Sequence, residues 1–154
     1  MIEREADRRV HYHGWVATYG PLLAPDEAER LTLTERVEHW ARLLRERSAD
    51  RGALVAEREN RIVGLIEWEI GPEGNRALGE VHAIHVAPEE RGRGVGTVLL
   101  VAALEAMRSL GVRRAVLWVL DANTTARRFY EGQGWVWDGA RVERPLGALR
   151  TCRP

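Results

Sequence analysis

At 154 residues, with 23 arginines set against 23 acidic residues and no lysine, the chain carries no formal net charge. A length of this order closes around one core, so a single domain over residues 1–154 is expected, and the charge balance removes the basic footprint of a nucleic-acid or anionic-membrane binder. No apolar run reaches membrane-spanning length, the stretch Met1 to Arg9 is too charged for a secretory signal, and a lone Cys152 excludes an internal disulfide, so the reading is a cytoplasmic protein with a small-molecule partner.

In chain order, Asp7 to Gly20 has helical spacing, with Trp15 and Tyr19 one turn apart, and Pro21 and Pro25 break it. Thr32 and Glu35 match a capping box, after which Val37, Trp40, Ala41 and Leu44 recur at helical spacing. Two strands follow, Ala53 to Glu57 and Ile62 to Ile70, joined as a hairpin through Glu59-Asn60. Period-two alternation sets Ile62, Ile66, Trp68 and Ile70 on one face of the second strand and Glu67 and Glu69 on the other. After a turn over Gly71 to Asn75, a third strand starts near Leu78.

The stretch from His82 to Leu100 reads as a buried strand, a glycine-rich turn and the first turn of an apolar helix that ends at Gly111. Ala115 to Leu120 is a buried strand by length and β-branching, and strand–helix–strand order makes it parallel to the one before. A further helix runs from Asn123 to Gly132 or Gly134, and Trp135 to Val142 and Ala148 to Arg150 complete the sheet. Cys152, two residues from the end, reads as incidental.

Gly92, Gly94 and Gly96 leave the backbone bare just where a helix begins, so unpaired N–H groups and the positive end of the helix dipole form a cradle for an anion. Arg91 and Arg93 add fixed positive charge. A P-loop would need Gly-Lys-Ser/Thr, which a chain without lysine lacks. A dinucleotide fingerprint would need a small residue where Thr97 stands and an acidic residue about 20 positions on. What remains is Arg91-Gly92-Arg93-Gly94-Val95-Gly96 after a strand ending Val86-Ala87-Pro88-Glu89.

That stretch closely resembles the acyl-CoA-binding motif of the GNAT (GCN5-related) N-acetyltransferase superfamily. The resemblance continues through Arg114 to Leu120 and through Asn123-Thr124-Thr125-Ala126-Arg127-Arg128-Phe129-Tyr130 to Gly134-Trp135, covering most of the chain from about Gly52. It implies an α/β (α+β) fold: a central mixed, mostly antiparallel sheet of about six or seven strands with a splayed parallel pair near 80–86 and 115–120, flanked by about four helices. The first strand of the family is short or absent here, which leaves a sheet edge that a second copy of the chain, as a homodimer, would cover.

The resemblance further implies acetyl-CoA as cofactor. The cofactor-binding run would be Arg91, Gly92, Arg93, Gly94, Val95, Gly96 and Thr97, with the pyrophosphate held by backbone N–H groups between Arg93 and Thr97; the pantetheine arm would lie on the strand edge at Ile84, His85 and Val86, with Asn123, Ala126 and Tyr130 also contacting the cofactor. The Val86 N–H is the implied oxyanion donor and Tyr130 the implied proton donor to the departing thiolate. A lysine-like amine of pKa near 10.4 must lose a proton at a cost of about 4–5 kcal/mol at neutral pH. Glu80, which matches a catalytic glutamate of histone-type members, or His82 two residues on, would take it. Trp15, Tyr19, Trp68 and Trp118 are candidates to line the acceptor site, although a tryptophan is by default a core residue and no more than two are expected there. His11, His13, His39 and His85 have no metal-ligand spacing, and no metal is expected. The reading is an acetyl-CoA-dependent N-acetyltransferase acting on a small-molecule amine; the alternatives are a protein or peptide amine acetyltransferase and a non-catalytic acyl-CoA-binding module.

Overall fold

The computed structural model describes residues 48–71, 75–144 and 147–154. The two helices expected before Ser48, with Trp15 and Tyr19, and the question of a first strand lie outside the described residues.

Strands β1 (Arg51–Arg58) and β2 (Arg61–Ile70) form the expected hairpin. Glu59 and Asn60 both take positive φ, 50° and 58°, the mirror-image turn whose twist matches that of the flanking strands. The chain continues through β3 (Leu78–Val86), a 3₁₀ turn at Pro88–Glu90, helix α1 (Val95–Ser109), β4 (Arg114–Leu120), helix α2 (Thr124–Gly132), β5 (Val136–Arg144) and β6 (Gly147–Arg153). The described residues form one six-stranded sheet, in the order β1-β2-β3-β4-β6-β5. Only β3 and β4 are parallel; every other neighbouring pair is antiparallel.

Helix α1 lies on one face of this sheet. Val95, Leu99, Leu100, Ala103 and Met107 of the helix pack with Ile66, Trp68 and Ile70 of β2, Val81 of β3, and Ala115, Leu117 and Val119 of β4. Burying an aliphatic side chain of this size contributes roughly 1.5–3 kcal/mol, so this layer holds the middle of the sheet together. The approach is close: a Cβ at Gly79 would lie 2.4 Å from the Met107 sulfur, and one at Gly64 2.9 Å from Leu99.

Two β-bulges alter the expected faces. In β2, Ile62 pairs with Glu57 and Gly64 with Ala56, so Val63 is an extra residue. It takes the core position, 6% exposed, and Ile62, expected there, is only half-buried. In β3, Val81 pairs with Trp68 and Ala83 with Glu67, so His82 is the extra residue. An inserted residue shifts side-chain parity by one, and so Gly79 and Val81 before the bulge share the α1 face with Ile84 and Val86 after it.

The C-terminal strand is longer than its sequence pattern suggests. Strand β6 enters between β4 and β5, which sets Cys152 opposite both Leu117 and Trp137. Cys152 is thus a core residue, 8% exposed, and not an incidental one in a tail. Burial, and then the nearby Asp138 and Glu131 carboxylates, push its thiol pKa up.

Candidate active site

Strands β3 and β4 are paired only from Leu78 to Val81 and from Arg114 to Leu117. Beyond that, β3 continues from His82 to Val86 bound to β2, and β4 from Trp118 to Leu120 bound to β6, with no pairing between them. The sheet therefore opens in its middle, toward the C-terminal ends of its two parallel strands.

The amides that face this opening follow from one bond. Ala87 N–H donates to the Val63 carbonyl at 2.9 Å, so Ala87 points toward β2. Backbone groups alternate along a strand, and His85 therefore also points toward β2, while Ile84 and Val86 direct their N–H and C=O groups into the opening. The three residues expected to share one role divide into two and one. Arg91 Nε donates to the Val86 carbonyl at 3.3 Å, which anchors the glycine turn to the rim.

The glycine turn follows directly. Gly92 and Gly94 have φ of 72° and 82°, and a Cβ on either would meet nothing within 4 Å. The backbone there is both left-handed and open to an approaching group. Gly94 is the N-cap of α1 and provides no side-chain cap. The first N–H groups of the helix, through Thr97, have no acceptor within it, since the first intrahelical bond is from Val98 N–H to the Gly94 carbonyl. Gly96 serves a different purpose: a Cβ there would lie 3.2 Å from Phe129 Cζ and 3.7 Å from Val86 Cγ2. The start of α1, the end of β3 and helix α2 converge at this point. The guanidinium of Arg93 is 60% exposed and 3.7 Å from Glu90, which also accepts from Arg58 at 2.8 Å. Much of the positive character of the turn is thus carried by amides and the helix dipole.

Helix α2 is fixed at its start by Asn123, 8% exposed, whose Oδ1 accepts from Ala126 N–H at 3.1 Å. This cap occupies the Ala126 amide. Tyr130 is half-buried, with its ring 5.2 Å from that of Phe129 and 6.1 Å from that of Trp135. Since Phe129 abuts Gly96, the adjacent Tyr130 is carried on the same turn of helix that meets the glycine loop and Val86.

The sheet face opposite α1 carries the titratable groups. Glu80 and Glu69 are partners in the β2–β3 register. His82 lies between them, with Nε2 3.3 Å from Glu69 Oε2 and Nδ1 3.6 Å from Glu80 Oε1. Glu80 and His82 are thus together, as their spacing implied, and Glu69 joins them from a strand whose sequence gave no such signal. Trp118, 36% exposed, is the first residue of β4 beyond its pairing with β3 and lies on this same face. Trp68 does not. It faces α1, 6% exposed, with its indole over Gly52, where a Cβ would come within 2.2 Å of the ring. The alternation that puts Glu67 and Glu69 on the open face excludes Trp68 from it, so Trp68 is a core residue. Among the described residues, no three His, Cys, Asp or Glu side chains converge so as to hold a metal ion, and no helix is long and apolar enough to cross a membrane.

Residues 12–135 match the sequence model of the Acetyltransferase (GNAT) family. A mycothiol acetyltransferase from Thermobispora bispora is 39% identical over 87 residues, which are 54% of this chain and 30% of that protein. An uncharacterized N-acetyltransferase from Archaeoglobus fulgidus is 35% identical over 100 residues, 63% of this chain and 67% of that protein. The chain thus spans about 30% of the length of the mycothiol acetyltransferase it matches and two thirds of the archaeal protein. Among solved structures, the PaiA N-acetyltransferase from Thermoplasma acidophilum in complex with coenzyme A has a TM-score of 0.77 at 18% identity, covering 99% of this chain and 93% of that one. At that identity the likeness speaks for the fold.

Proposed function

The chain belongs to the GNAT acetyltransferase family, and from that premise we propose that it is an acetyl-CoA-dependent N-acetyltransferase that moves an acetyl group to a primary amine of a small molecule, by direct attack in a ternary complex. The observation that carries the reading is the opening between β3 and β4, which begins past Val81 and Leu117 and has the glycine turn at its end. A bare anion cradle in line with an unpaired strand edge suits an extended ligand with a phosphate end and an amide-bearing arm.

The residues present fit acetyl-CoA. Gly92 and Gly94 leave the cradle clear, and the amides from Arg93 to Thr97 would hold the pyrophosphate. The Ile84 and Val86 edge would hold the arm. When bound, acetyl-CoA supplies an activated acyl thioester. The Val86 N–H would then face the acyl oxygen and stabilise the negative charge that develops there, a fixed donor requiring no reorganisation of water. On the open face, Glu80 and His82 would take the proton of the incoming ammonium, directly or through a water molecule. Tyr130, on the α2 turn that meets Val86 and Gly96, would give its hydroxyl proton to the departing sulfur. Trp118 would offer an apolar wall to the body of the amine.

Acetyl-CoA consumption across a broad panel of amines, comparing the native chain with Tyr130→Phe, tests the reading. Turnover of a particular amine that falls about 10²-fold in the variant is expected. Acetyl-CoA that raises thermal stability with no turnover, in the native chain and in variants of Glu80, His82 and Tyr130 alike, would favour a non-catalytic acyl-CoA-binding module. Preference for peptide over small amines would favour a protein acetyltransferase.

A further inference from the structure

We propose that Glu69 is a positioning residue for His82: it fixes the imidazole as the Nε2–H tautomer and leaves the Nδ1 lone pair, on the Glu80 side, to receive the proton of the amine. The proposal rests on the reading above that this face accepts that proton.

Glu69 and Glu80 are direct register partners on the same face, an arrangement that would set two carboxylates against each other across neighbouring strands. The bulge resolves this by placing one extra residue beside them. His82 brings its ring between the two carboxylates, with unequal contacts of 3.3 Å to Glu69 and 3.6 Å to Glu80. A neutral imidazole has one N–H and one lone pair, so it can donate to only one carboxylate. The shorter contact assigns the N–H to Nε2 and Glu69. The other oxygen of Glu69, Oε1, lies 3.6 Å from Arg51 Nε, so the carboxylate has a partner on each oxygen and is held in orientation. Among the described residues, register and alternation also set Glu67 of β2, Glu80 of β3 and Arg114 of β4 on this face.

The step balances simply. The ammonium N–H bond of the acceptor breaks, its electron pair stays on nitrogen as the nucleophile, and the proton forms a new bond to Nδ1. Nε2 keeps its own proton toward Glu69, whose charge offsets the imidazolium. Glu69 touches neither substrate nor cofactor in this scheme. It acts only through His82.

The test begins with the full chain and no acceptor, using long-range ¹H–¹⁵N correlation of the imidazole rings, with the His82 signals identified by their loss in His82→Ala. The Nε2–H pattern is expected in the native chain, and a mixed or inverted pattern in Glu69→Ala; an unchanged pattern in Glu69→Ala overturns the proposal. Turnover with the best amine of the panel is then compared in a double-mutant cycle. Glu69→Ala should lower kcat on the order of 10-fold, and His82→Ala on the order of 10²-fold. The double variant should be no slower than His82→Ala alone. Additive losses overturn the positioning role. If Glu69→Ala changes the tautomer while His82→Ala leaves kcat intact, the contact is real but His82 is not the proton acceptor, and both the proposal and that part of the functional reading fall. Glu69→Gln, close in shape, separates loss of charge from loss of fold through its melting temperature.

Discussion

The two ends of the proposed site share strand β3 and are made of different material. The glycine end is continuous backbone from Arg91 to Thr97, where two positive φ values and a helix start leave amides uncovered. The amine face is assembled from side chains of three strands: Glu69 of β2, Glu80 and His82 of β3, and Trp118 of β4. A site of backbone is local in sequence and is damaged by adding atoms. A site of side chains is scattered in sequence and is damaged by removing them. Each end should therefore fail under the kind of change that the other tolerates.

The largest effect is expected at the amine face. Glu80→Gln should lower kcat about 10²-fold while acetyl-CoA affinity, read by calorimetry, stays within about threefold. A change confined to affinity would break the division between the ends. At the glycine end, Gly94→Val puts a β-branched residue at φ 82°, in the space where nothing now lies within 4 Å. Acetyl-CoA KM should rise about 10-fold or more, equivalent to about 1.4 kcal/mol, with kcat at saturation retained. Removal of atoms from the same turn should matter less. Arg93→Ala deletes a guanidinium that is 60% exposed and pairs only loosely with Glu90, so a change in KM below about threefold is expected. A larger loss would transfer the pyrophosphate from amides to that side chain.

Two smaller tests probe β6, the neighbour of β4. Cys152 keeps its thiol proton in the folded state beyond the ordinary thiol range, because burial and two carboxylates disfavour the thiolate. The unfolded chain releases that proton earlier as pH rises, so this contribution to stability is complete below the unfolded thiol pKa and declines above it. Melting curves from neutral to alkaline pH should show a decline that Cys152→Ala lessens. Thr151, 5% exposed and opposite Trp118 in the register, has a hydroxyl with no hydrogen-bond partner among the described residues. Thr151→Val should be neutral or stabilising by up to about 1 kcal/mol with kcat unchanged. A lower kcat would add Thr151 to the amine face.

The same contrast governs what the sequence reveals. The glycine turn, the Asn123 cap and the bounds of β3, α1, β4 and α2 are written in neighbouring residues, and the structure has them within a residue or two of their expected ends. The parallel β3–β4 pair follows from strand–helix–strand order. The two bulges leave no local mark, since an extra residue at Val63 or His82 is visible only against a partner strand. Unbroken alternation sets Ile62 on the face of Ile66, and sets Ile84 and Val86 on the face of Glu80, whereas the bulges give the core position to Val63 and turn Ile84 and Val86 to the α1 face. Glu69 meets His82 across the sheet, at a distance of 13 residues in the chain, and only the register reveals it. Trp68 stays a pocket candidate beside its default reading as core until Gly52 is seen beneath it, and Cys152 reads as a tail residue until β6 is known to enter between β4 and β5.

The opening between β3 and β4 also bears on what the sheet excludes. Unpaired strand edges are normally a hazard at the periphery, where any passing β-strand can add itself. Here the Ile84 and Val86 amides form an edge in the interior, closed at one end by the pairing of Val81 with Leu117. Another polypeptide would have to enter a wedge with side chains projecting on both of its faces, whereas a thin chain bearing amides and no side chains could lie flat within it. On the proposed reading, the opening that would admit such a thin chain would thus also disfavour the insertion of another strand at this edge.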